Sequence, residues 1–112
     1  MPYADLPGAR LYYEDEGAGE PLVLLHGIGA SSQDWAFQLP AFARKYRVIA
    51  PDLRGRGLSE NDPDAGNYHL WTYARDVAQM CDAFGIGQAV FIGSSMGGLV
   101  AMVLATLRPH LV

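Results

Sequence analysis

The chain has 112 residues, the length of one ordinary domain, and 50% of them are hydrophobic while only 18% are charged. This balance excludes a disordered chain and predicts a substantial hydrophobic core. The net charge of −4 comes without any basic run or stripe, which argues against a nucleic-acid partner. No apolar run is long enough to span a bilayer, so no membrane role is expected.

The N-terminus and the cysteine content bear on the cellular compartment. Residues 1–5 show neither a basic n-region nor an apolar h-region, so we expect no secretory signal peptide. Cys81 is the single cysteine and cannot form an internal disulfide. These features predict a cytoplasmic protein.

Two short strands that pair in antiparallel fashion are predicted at the start of the chain. The turn signal Pro7-Gly8 separates residues 2–6 from residues 10–15. A continuous apolar run at residues 21–25 then predicts a strand that is buried on both faces of a parallel sheet.

A glycine-rich loop at residues 26–29 follows that strand and leads into a predicted helix. Either Ser31 or Ser32 is expected to cap this helix. Its apolar stripe has helical spacing and consists of Trp35, Leu39 and Phe42. Pro40 falls inside the stretch, so we expect a helix that is short, or one that starts late with Pro40 in its first turn.

The next strand is predicted at residues 46–50, and it ends in a polar loop with the pattern D-x-R-G-x-G-x-S at residues 52–59. A helix is predicted from residue 70 to residue 84 because its apolar residues recur on one face. Gly85 is its expected C′ residue, and Ile86 is placed for the apolar contact that accompanies such a cap.

The C-terminal part of the chain contains the most informative pattern. A short β-rich run at residues 89–92 meets G-x-S-x-G at residues 93–97, and an apolar helical run follows at residues 99–107. Such a junction is a strand–turn–helix elbow that holds its central serine, Ser95, in a sparsely populated backbone conformation. Unpaired N–H groups at the start of the helix favour developing negative charge there. Ser95 is therefore predicted to be a nucleophile, and a merely structural turn is the alternative.

The alternation of strands and helices from residue 21 onward predicts a parallel sheet with helices on its faces. The expected fold class is α/β, a three-layer α/β/α arrangement whose mostly parallel sheet carries an antiparallel strand pair at its N-terminus. The helix at residues 99–107 is apolar around its whole circumference, which is typical of a helix buried on all sides. No later strand covers the outer edge of the elbow strand, so the pattern predicts that further protein completes the fold.

Across essentially all of its residues the chain resembles the N-terminal half of the α/β-hydrolase superfamily. The motifs that carry the resemblance are the His-Gly loop (residues 26–29), the D-x-R-G-x-G-x-S loop and the elbow, in the family's order and spacing. The elbow resembles the one in small esterases, enol-lactonases and C–C hydrolases. Dehalogenases and epoxide hydrolases of the superfamily carry Asp at the nucleophile position, so Ser95 counts against those chemistries. We interpret residues 1–112 as the N-terminal part of a single domain, a partial α/β-hydrolase fold.

The resemblance implies acyl transfer to water, with an ester- or lactone-like small molecule as the substrate and with no cofactor and no metal ion. Ser95 would attack the carbonyl carbon and form an acyl-enzyme. The backbone N–H groups of Ile28 and Met96 would form the oxyanion hole. Five further residues would support the elbow and the oxyanion loop: His26, Gly27, Gly93, Gly97 and Gly98.

The catalytic acid and base of the family are absent from this sequence. In the family both follow the elbow, but downstream of Ser95 the chain has no Asp or Glu, and its only histidine there is His110. His26 resembles a residue that shapes the oxyanion loop, and His69 is expected to have a surface or cap-adjacent role. Because a serine without a base is a weak nucleophile, we expect the isolated 112 residues to be inactive or nearly so.

Several other polar and aromatic residues have alternative interpretations. Asp52 ends a strand where a ligand could approach, although its family counterpart supports the following loop. Arg54 and Arg56 could hold an anionic substrate, or they fix the loop or face solvent. Cys81 is expected to pack in the core. Three aromatic residues could wall a pocket or pack in the core: Trp35, Phe37 and Trp71.

Two functions of different classes follow from these observations. The first is a serine hydrolase whose acid and base come from a C-terminal portion outside this sequence. The second is a non-catalytic half-hydrolase module that self-associates, for example as a homodimer, through its open sheet edge. Whether a base reaches Ser95 separates the two.

Overall fold

The computed structural model describes residues 2–112 and contains a five-stranded sheet with helices on its faces. The strands are β1 (Tyr3–Leu6), β2 (Ala9–Glu16), β3 (Pro21–Leu25), β4 (Arg47–Pro51) and β5 (Val90–Gly93). The α-helices are α1 (Gln38–Phe42), α2 (Leu70–Ala83) and α3 (Met96–Leu107), and 3₁₀ helices span Ser32–Trp35 and Ala65–Asn67. The predicted strands and helices are all present, and the predicted α/β class is confirmed.

The strands lie in the order β1-β2-β4-β3-β5. β2 pairs in antiparallel fashion with β1 and β4, whereas β3 pairs in parallel with both β4 and β5. The chain passes from β3 to β4 on one side and then from β4 to β5 on the other side, so the strand order reverses at β3. In open α/β sheets such a reversal leaves a crevice beyond the carboxyl ends of the strands, where ligands bind.

Alternate residues of β3 face two separate cores, because successive side chains of a strand point to opposite faces of its sheet. Val23 and Leu25 belong to the larger cluster, together with side chains of α2 and α3. Leu22 and Leu24 belong to a smaller cluster that includes Leu39 of α1. This arrangement is the predicted three-layer architecture.

The helix after β3 is short for the reason expected from its proline. Ser31 caps the 3₁₀ helix, because its Oγ accepts a hydrogen bond from the Gln33 N–H at 3.2 Å. α1 then begins at Gln38, and Pro40 lies in its first turn, where the missing N–H of proline has no helical acceptor to lose.

The C-terminus of α2 has the predicted glycine cap. Gly85 adopts a φ of +70°, and its N–H donates to the Asp82 carbonyl at 3.1 Å. The Ile86 N–H donates to the Cys81 carbonyl at 2.9 Å, and the Ile86 side chain is buried. Together these two bonds form a Schellman motif, which ends the helix and directs the chain toward β5.

α3 begins at Met96, three residues earlier than its apolar run alone predicts. Gly97 and Gly98 have low helix propensity, so the sequence pattern places them in the turn. The structure places them in the first turn of α3, because Ser95 serves as the N-cap and fixes the helix start. Tertiary packing at the elbow therefore overrides local propensity.

β5 lies at an edge of the sheet, as the family resemblance implies, and has β3 as its neighbour. Within residues 2–112 no strand covers its other side, and Val90 is 56% exposed. The expectation that α3 is buried on all sides is not met within these residues, since Leu99 is 50% and Met102 is 67% exposed. The sheet and α2 cover one side of α3 and leave an apolar face open.

None of the helices in the described part of the chain is long and apolar enough to cross a lipid bilayer. Residues 2–112 also contain no group of three His, Cys, Asp or Glu side chains placed to hold a metal ion.

Candidate active site

The sheet brings the elbow and the His-Gly loop side by side. β3 ends at Leu25 and β5 ends at Gly93, and these two residues are register partners in adjacent parallel strands. The Ser94 N–H continues the pairing by donating to the Leu25 carbonyl at 3.0 Å. Two loops that are far apart in sequence therefore begin side by side at the carboxyl ends of adjacent strands.

Ser95 has the backbone conformation expected of a nucleophile elbow. Its φ is +53° and its ψ is −115°, and it is the one non-glycine residue with a positive φ in residues 2–112. Such a conformation is strained for an L-residue with a side chain and persists only where the surrounding structure holds it. The Ser95 side chain is exposed and makes no capping hydrogen bond, so its hydroxyl is free to meet a substrate.

Two glycines make the tight turn possible by lacking a Cβ atom. A Cβ on Gly97 would lie 2.1 Å from the Leu25 carbonyl oxygen, and one on Gly93 would lie 2.3 Å from the Gly97 carbonyl carbon. Both distances are far inside van der Waals contact. At Gly98 the nearest atom would be the Gly93 oxygen at 3.5 Å, an ordinary contact. The packing requirement for glycine is therefore strict at Gly93 and Gly97 and absent at Gly98.

The predicted oxyanion-hole residues lie on the two adjacent loops. Met96 is the first residue of α3, and its N–H donates to no backbone carbonyl within residues 2–112. The Ile28 N–H likewise has no backbone acceptor in this part of the chain. Between them, a Cβ on Gly27 would lie 3.9 Å from Ser95 Oγ, which shows how closely the His-Gly loop approaches the serine.

His26 is fully buried and both of its ring nitrogens are engaged. Nε2 accepts a hydrogen bond from the Leu53 N–H at 2.9 Å, which requires that nitrogen to be unprotonated. Nδ1 therefore carries the proton and donates to the Gly27 carbonyl at 2.8 Å. Burial lowers the pKa of His26, which favours this neutral form. The imidazole thus ties the His-Gly loop to the end of β4.

Asp52 holds the same two loops together from the other side. Its carboxylate accepts hydrogen bonds from the Ser32 N–H at 2.7 Å and from the Leu58 N–H at 2.8 Å. A Cβ on Gly57 would lie 2.2 Å from Asp52 Oδ2, and the φ of Gly57 is +50°. The carboxylate is buried within the loop, so ligand binding is not required to explain it.

Arg54 connects the D-x-R-G-x-G-x-S loop to α2. Its guanidinium makes two parallel bonds to the Asp76 carboxylate, at 2.9 and 2.8 Å, and a third to Asp62 at 2.6 Å. Arg54 and Asp76 are both buried. The guanidinium thus pairs with two carboxylates of the chain, and of the alternatives that the sequence left open for Arg54 this geometry favours fixing the loop.

The other histidines and the cysteine lie away from the elbow. His69 is the N-cap of α2, and its Nε2 lies 3.0 Å from Thr72 Oγ1. His110 is exposed after the end of α3. Cys81 is buried in the core, and burial raises the pKa of its thiol to about 12. Ser95 therefore lies near the two predicted oxyanion donors, but none of the three histidines or Cys81 is placed to act as its general base.

One cavity touches the elbow, and the sequence patterns did not reveal it. It has a volume of about 210 Å³ and is lined by Asp34, Trp35, Gln38 and Ser94. A larger groove, of about 640 Å³, runs along α2 past His69 and Trp71 to Arg108 of the α3 terminus. No motif marks Asp34 or Gln38, because their approach to the elbow depends on the fold of the segment after the His-Gly loop. Phe37 is 90% exposed and lines neither space.

Comparisons with known proteins identify the family to which the chain is similar. A family model described as the alpha/beta hydrolase fold matches residues 20–112. The chain is 36% identical over 105 residues to bifunctional epoxide hydrolase 2 of Sus scrofa, which covers 93% of this chain and 19% of the relative. It is 39% identical over 110 residues to a putative carbamate hydrolase, RutD, of Azorhizobium caulinodans, which covers 98% of this chain and 41% of the relative.

Solved structures show the same fold. An epoxide hydrolase from Vigna radiata superimposes with a TM-score of 0.95 at 28% identity, covering 99% of this chain and 36% of that structure. An esterase from Thermogutta terrifontis superimposes with a TM-score of 0.92 at 34% identity, covering 99% of this chain and 43% of that structure. The chain thus spans between 19% and 41% of the length of the two curated relatives. By sequence and by structure, the chain belongs to the alpha/beta hydrolase fold family.

Proposed function

We propose that this chain carries the nucleophile and the oxyanion hole of a serine hydrolase that cleaves an ester- or lactone-like small molecule. The observation that carries the proposal is the strained, exposed Ser95 at the start of α3, beside two backbone N–H groups without backbone acceptors in residues 2–112. These groups are what acyl transfer needs at the reacting carbonyl.

In the proposed reaction, Ser95 Oγ attacks the carbonyl carbon and its proton passes to a general base. The carbonyl oxygen becomes an oxyanion, which the N–H groups of Ile28 and Met96 stabilise. The alcohol then leaves with the proton, and water attacks the acyl-enzyme to release the acid and restore Ser95. In comparable sites one oxyanion donor contributes about 2.7–4 kcal/mol to the barrier reduction.

The nature of the side chain at residue 95 favours acyl transfer over epoxide opening. Several relatives and structural neighbours are named epoxide hydrolases. As noted for the family resemblance, epoxide hydrolases of this superfamily carry Asp at the nucleophile position. This chain has Ser95 there. A serine alkoxide forms an acyl ester from a carbonyl substrate, whereas a carboxylate forms the ester intermediate by opening the epoxide ring.

We assign the general base and its acid to a part of the enzyme outside residues 1–112. His26 cannot accept a proton without losing its bond from the Leu53 N–H, and in the family the acid and histidine follow the elbow. The isolated 112 residues should therefore hydrolyse p-nitrophenyl acetate far more slowly than ~1 s⁻¹, a low but ordinary enzyme turnover number.

The alternative function, a non-catalytic module, is favoured by one observation. The outer edge of β5 is unpaired within residues 2–112, and Leu99 and Met102 of α3 are exposed, which suits self-association. Because the sharp backbone strain at Ser95 has no purpose in such a module, we give the hydrolase function precedence.

The test compares ester and epoxide hydrolysis by the intact gene product. We expect hydrolysis of p-nitrophenyl butyrate that falls to background in Ser95→Ala, since a comparable serine site loses on the order of 10⁶-fold in kcat. Asp5→Asn, an exposed change on β1 at the opposite edge of the sheet, is the control and should retain the rate. Hydrolysis of styrene oxide in preference to the ester, or ester hydrolysis that survives in Ser95→Ala, would refute the proposal.

A further inference from the structure

A cavity of about 210 Å³ lies beside the elbow and borders the residue next to Ser95. Ser94, the residue immediately before the proposed nucleophile, forms one wall. Asp34, Trp35 and Gln38, from the segment that follows the His-Gly loop, form the rest. The cavity therefore lies between the elbow and the helical segment that follows the His-Gly loop.

The lining of this cavity carries one negative charge, that of Asp34, and no positive charge. Asp34 is exposed and takes part in no ion pair within residues 2–112. The other three lining residues are uncharged. Neither arginine of the D-x-R-G-x-G-x-S loop lines the cavity: Arg54 is committed to Asp76 and Asp62, and Arg56 is not among the lining residues. An ammonium group placed here would meet an opposite charge, whereas a carboxylate or phosphate would be repelled.

The remaining lining groups also suit a cation that carries hydrogen-bond donors or methyl groups. The indole ring of Trp35 offers an aromatic surface of the kind that attracts cations. The hydroxyl of Ser94 and the amide of Gln38 each offer an oxygen acceptor. The cavity volume of about 210 Å³ is sufficient for a small ammonium substituent.

Asp34 also has a purely local explanation. It lies in the first turn of the 3₁₀ helix Ser32–Trp35, where a negative charge is favourable next to unpaired N–H groups. That explanation accounts for an acidic residue at this point in the chain. It does not account for the cavity that the same side chain shares with Ser94 of the elbow.

We infer that Asp34, Trp35, Gln38 and Ser94 form a substrate subsite that selects esters bearing a cationic substituent close to the scissile carbonyl. The inference rests on the proposed serine-hydrolase function and specifies its substrate class. Asp34 is the specificity-determining residue, because it supplies the only formal charge in the lining.

The test uses the intact gene product and two esters of matched shape, butyrylcholine and 3,3-dimethylbutyl butyrate, which differ in the charge of one atom. The measured quantity is the ratio of kcat/KM for the cationic ester to that for the neutral ester. In Asp34→Asn this ratio should fall about two- to fivefold, the effect of one exposed ion pair. In Asp34→Lys it should fall further. Raising the ionic strength should lower the ratio in the wild-type enzyme and not in Asp34→Asn.

Asp5→Asn is the matched control, because Asp5 is an exposed carboxylate on β1 at the opposite edge of the sheet. Its ratio should equal that of the wild-type enzyme. Equal ratios in the wild-type enzyme and both Asp34 variants would overturn the subsite while leaving the proposed function intact, provided that Ser95→Ala abolishes hydrolysis of the neutral ester. Hydrolysis of the neutral ester that survives in Ser95→Ala would overturn the proposed function, and the subsite with it.

Discussion

At the scale of single residues, the elbow depends on where a Cβ atom can be accommodated. The strained φ of Ser95 is held by a turn in which Gly93 and Gly97 allow backbone to approach backbone. The sequence pattern does not show which of these glycines could be replaced by a residue with a Cβ atom, because it contains no interatomic distances. The structure separates Gly97, with no room for a methyl group, from Gly98, which has ordinary space.

This difference gives a first prediction about stability. Gly97→Ala should lower the free energy of unfolding by about 1–3 kcal/mol, the cost of overpacking, because its Cβ would lie 2.1 Å from the Leu25 carbonyl oxygen. Gly98→Ala should leave that free energy unchanged or raise it by up to ~1 kcal/mol, since alanine has the higher helix propensity. Urea denaturation of the two variants measures both values. Equal destabilisation by the two substitutions would contradict the packing described here.

His26 gives a prediction about pH. Burial lowers its pKa in the folded state below the value near 6.5 of the unfolded chain, so the unfolded state binds a proton first as the pH falls. The stability contributed by neutral His26 is therefore complete above about pH 6.5 and is lost as the pH falls toward the folded-state pKa. Protonation would also break the bond from the Leu53 N–H.

The measurement is the free energy of unfolding at pH 7.5 and pH 5.5 for the wild-type chain, His26→Gln and His69→Gln. The wild-type chain and His69→Gln should both lose stability between these pH values, since His69 lies at the N-cap of α2, outside the His26 hydrogen bonds. His26→Gln should be less stable at pH 7.5 but should show a smaller decrease on acidification. The same decrease in all three proteins would show that another group controls this pH range.

At the scale of elements, a buried ion pair fixes α2 to the loop that follows β4. Arg54 and Asp76 meet in two parallel hydrogen bonds and are both buried, whereas Arg108 and Asp82 form a similar pair on the surface. Removing one partner of a buried pair leaves an uncompensated charge in the protein interior. The two pairs therefore differ in environment more than in geometry.

Asp76→Asn should lower the free energy of unfolding by up to about 3–5 kcal/mol, because Arg54 would then keep only the less buried Asp62 as its counter-charge. Asp82→Asn, the matched control at the exposed pair, should cost about 0–1 kcal/mol. Thermal or urea denaturation of both variants provides the comparison. A cost at Asp76 no larger than that at Asp82 would mean that the network does not anchor α2.

The order and type of the elements could be predicted from the sequence because the local patterns and the fold agree. The Pro40 position, the Gly85 cap and the apolar run of β3 each have one local explanation, and each is found where it was expected. The apolar pattern places the start of α3 three residues too late, because the helix begins at an N-cap that only the packing of the elbow defines. The cavity at Asp34 could not be predicted, because it depends on how two loops meet in space.

At the scale of the whole molecule, the described residues leave a large apolar surface open. The outer edge of β5 has no partner strand within residues 2–112, and Val90, Leu99 and Met102 are each at least half exposed. Each such side chain left in water forgoes roughly 1.5–3 kcal/mol of burial, against a total stability of about 5–15 kcal/mol for a typical domain. Pairing of two β5 edges would cover this surface.

We therefore predict that residues 1–112, expressed alone, associate into dimers or larger soluble species at micromolar concentration. Size-exclusion chromatography with light scattering measures the mass directly. Val90→Lys, which places a charge on the exposed edge, should shift the population toward the monomer. Pro2→Lys, an exposed change next to the opposite edge strand, is the control and should not change the population of monomer. A stable monomer with a cooperative thermal transition and no binding of an apolar dye would show that the edge and α3 need no partner.

Covalent labelling of the intact gene product tests directly whether Ser95 is the nucleophile. A fluorophosphonate probe should react once per protein molecule, and fragment-ion masses of the modified peptide should place the phosphonyl group on Ser95 and not on the adjacent Ser94. Heat-denatured protein should not react, because the reactivity requires the folded elbow. Modification of a different residue, or labelling that persists unchanged in Ser95→Ala, would show that Ser95 is not the nucleophile.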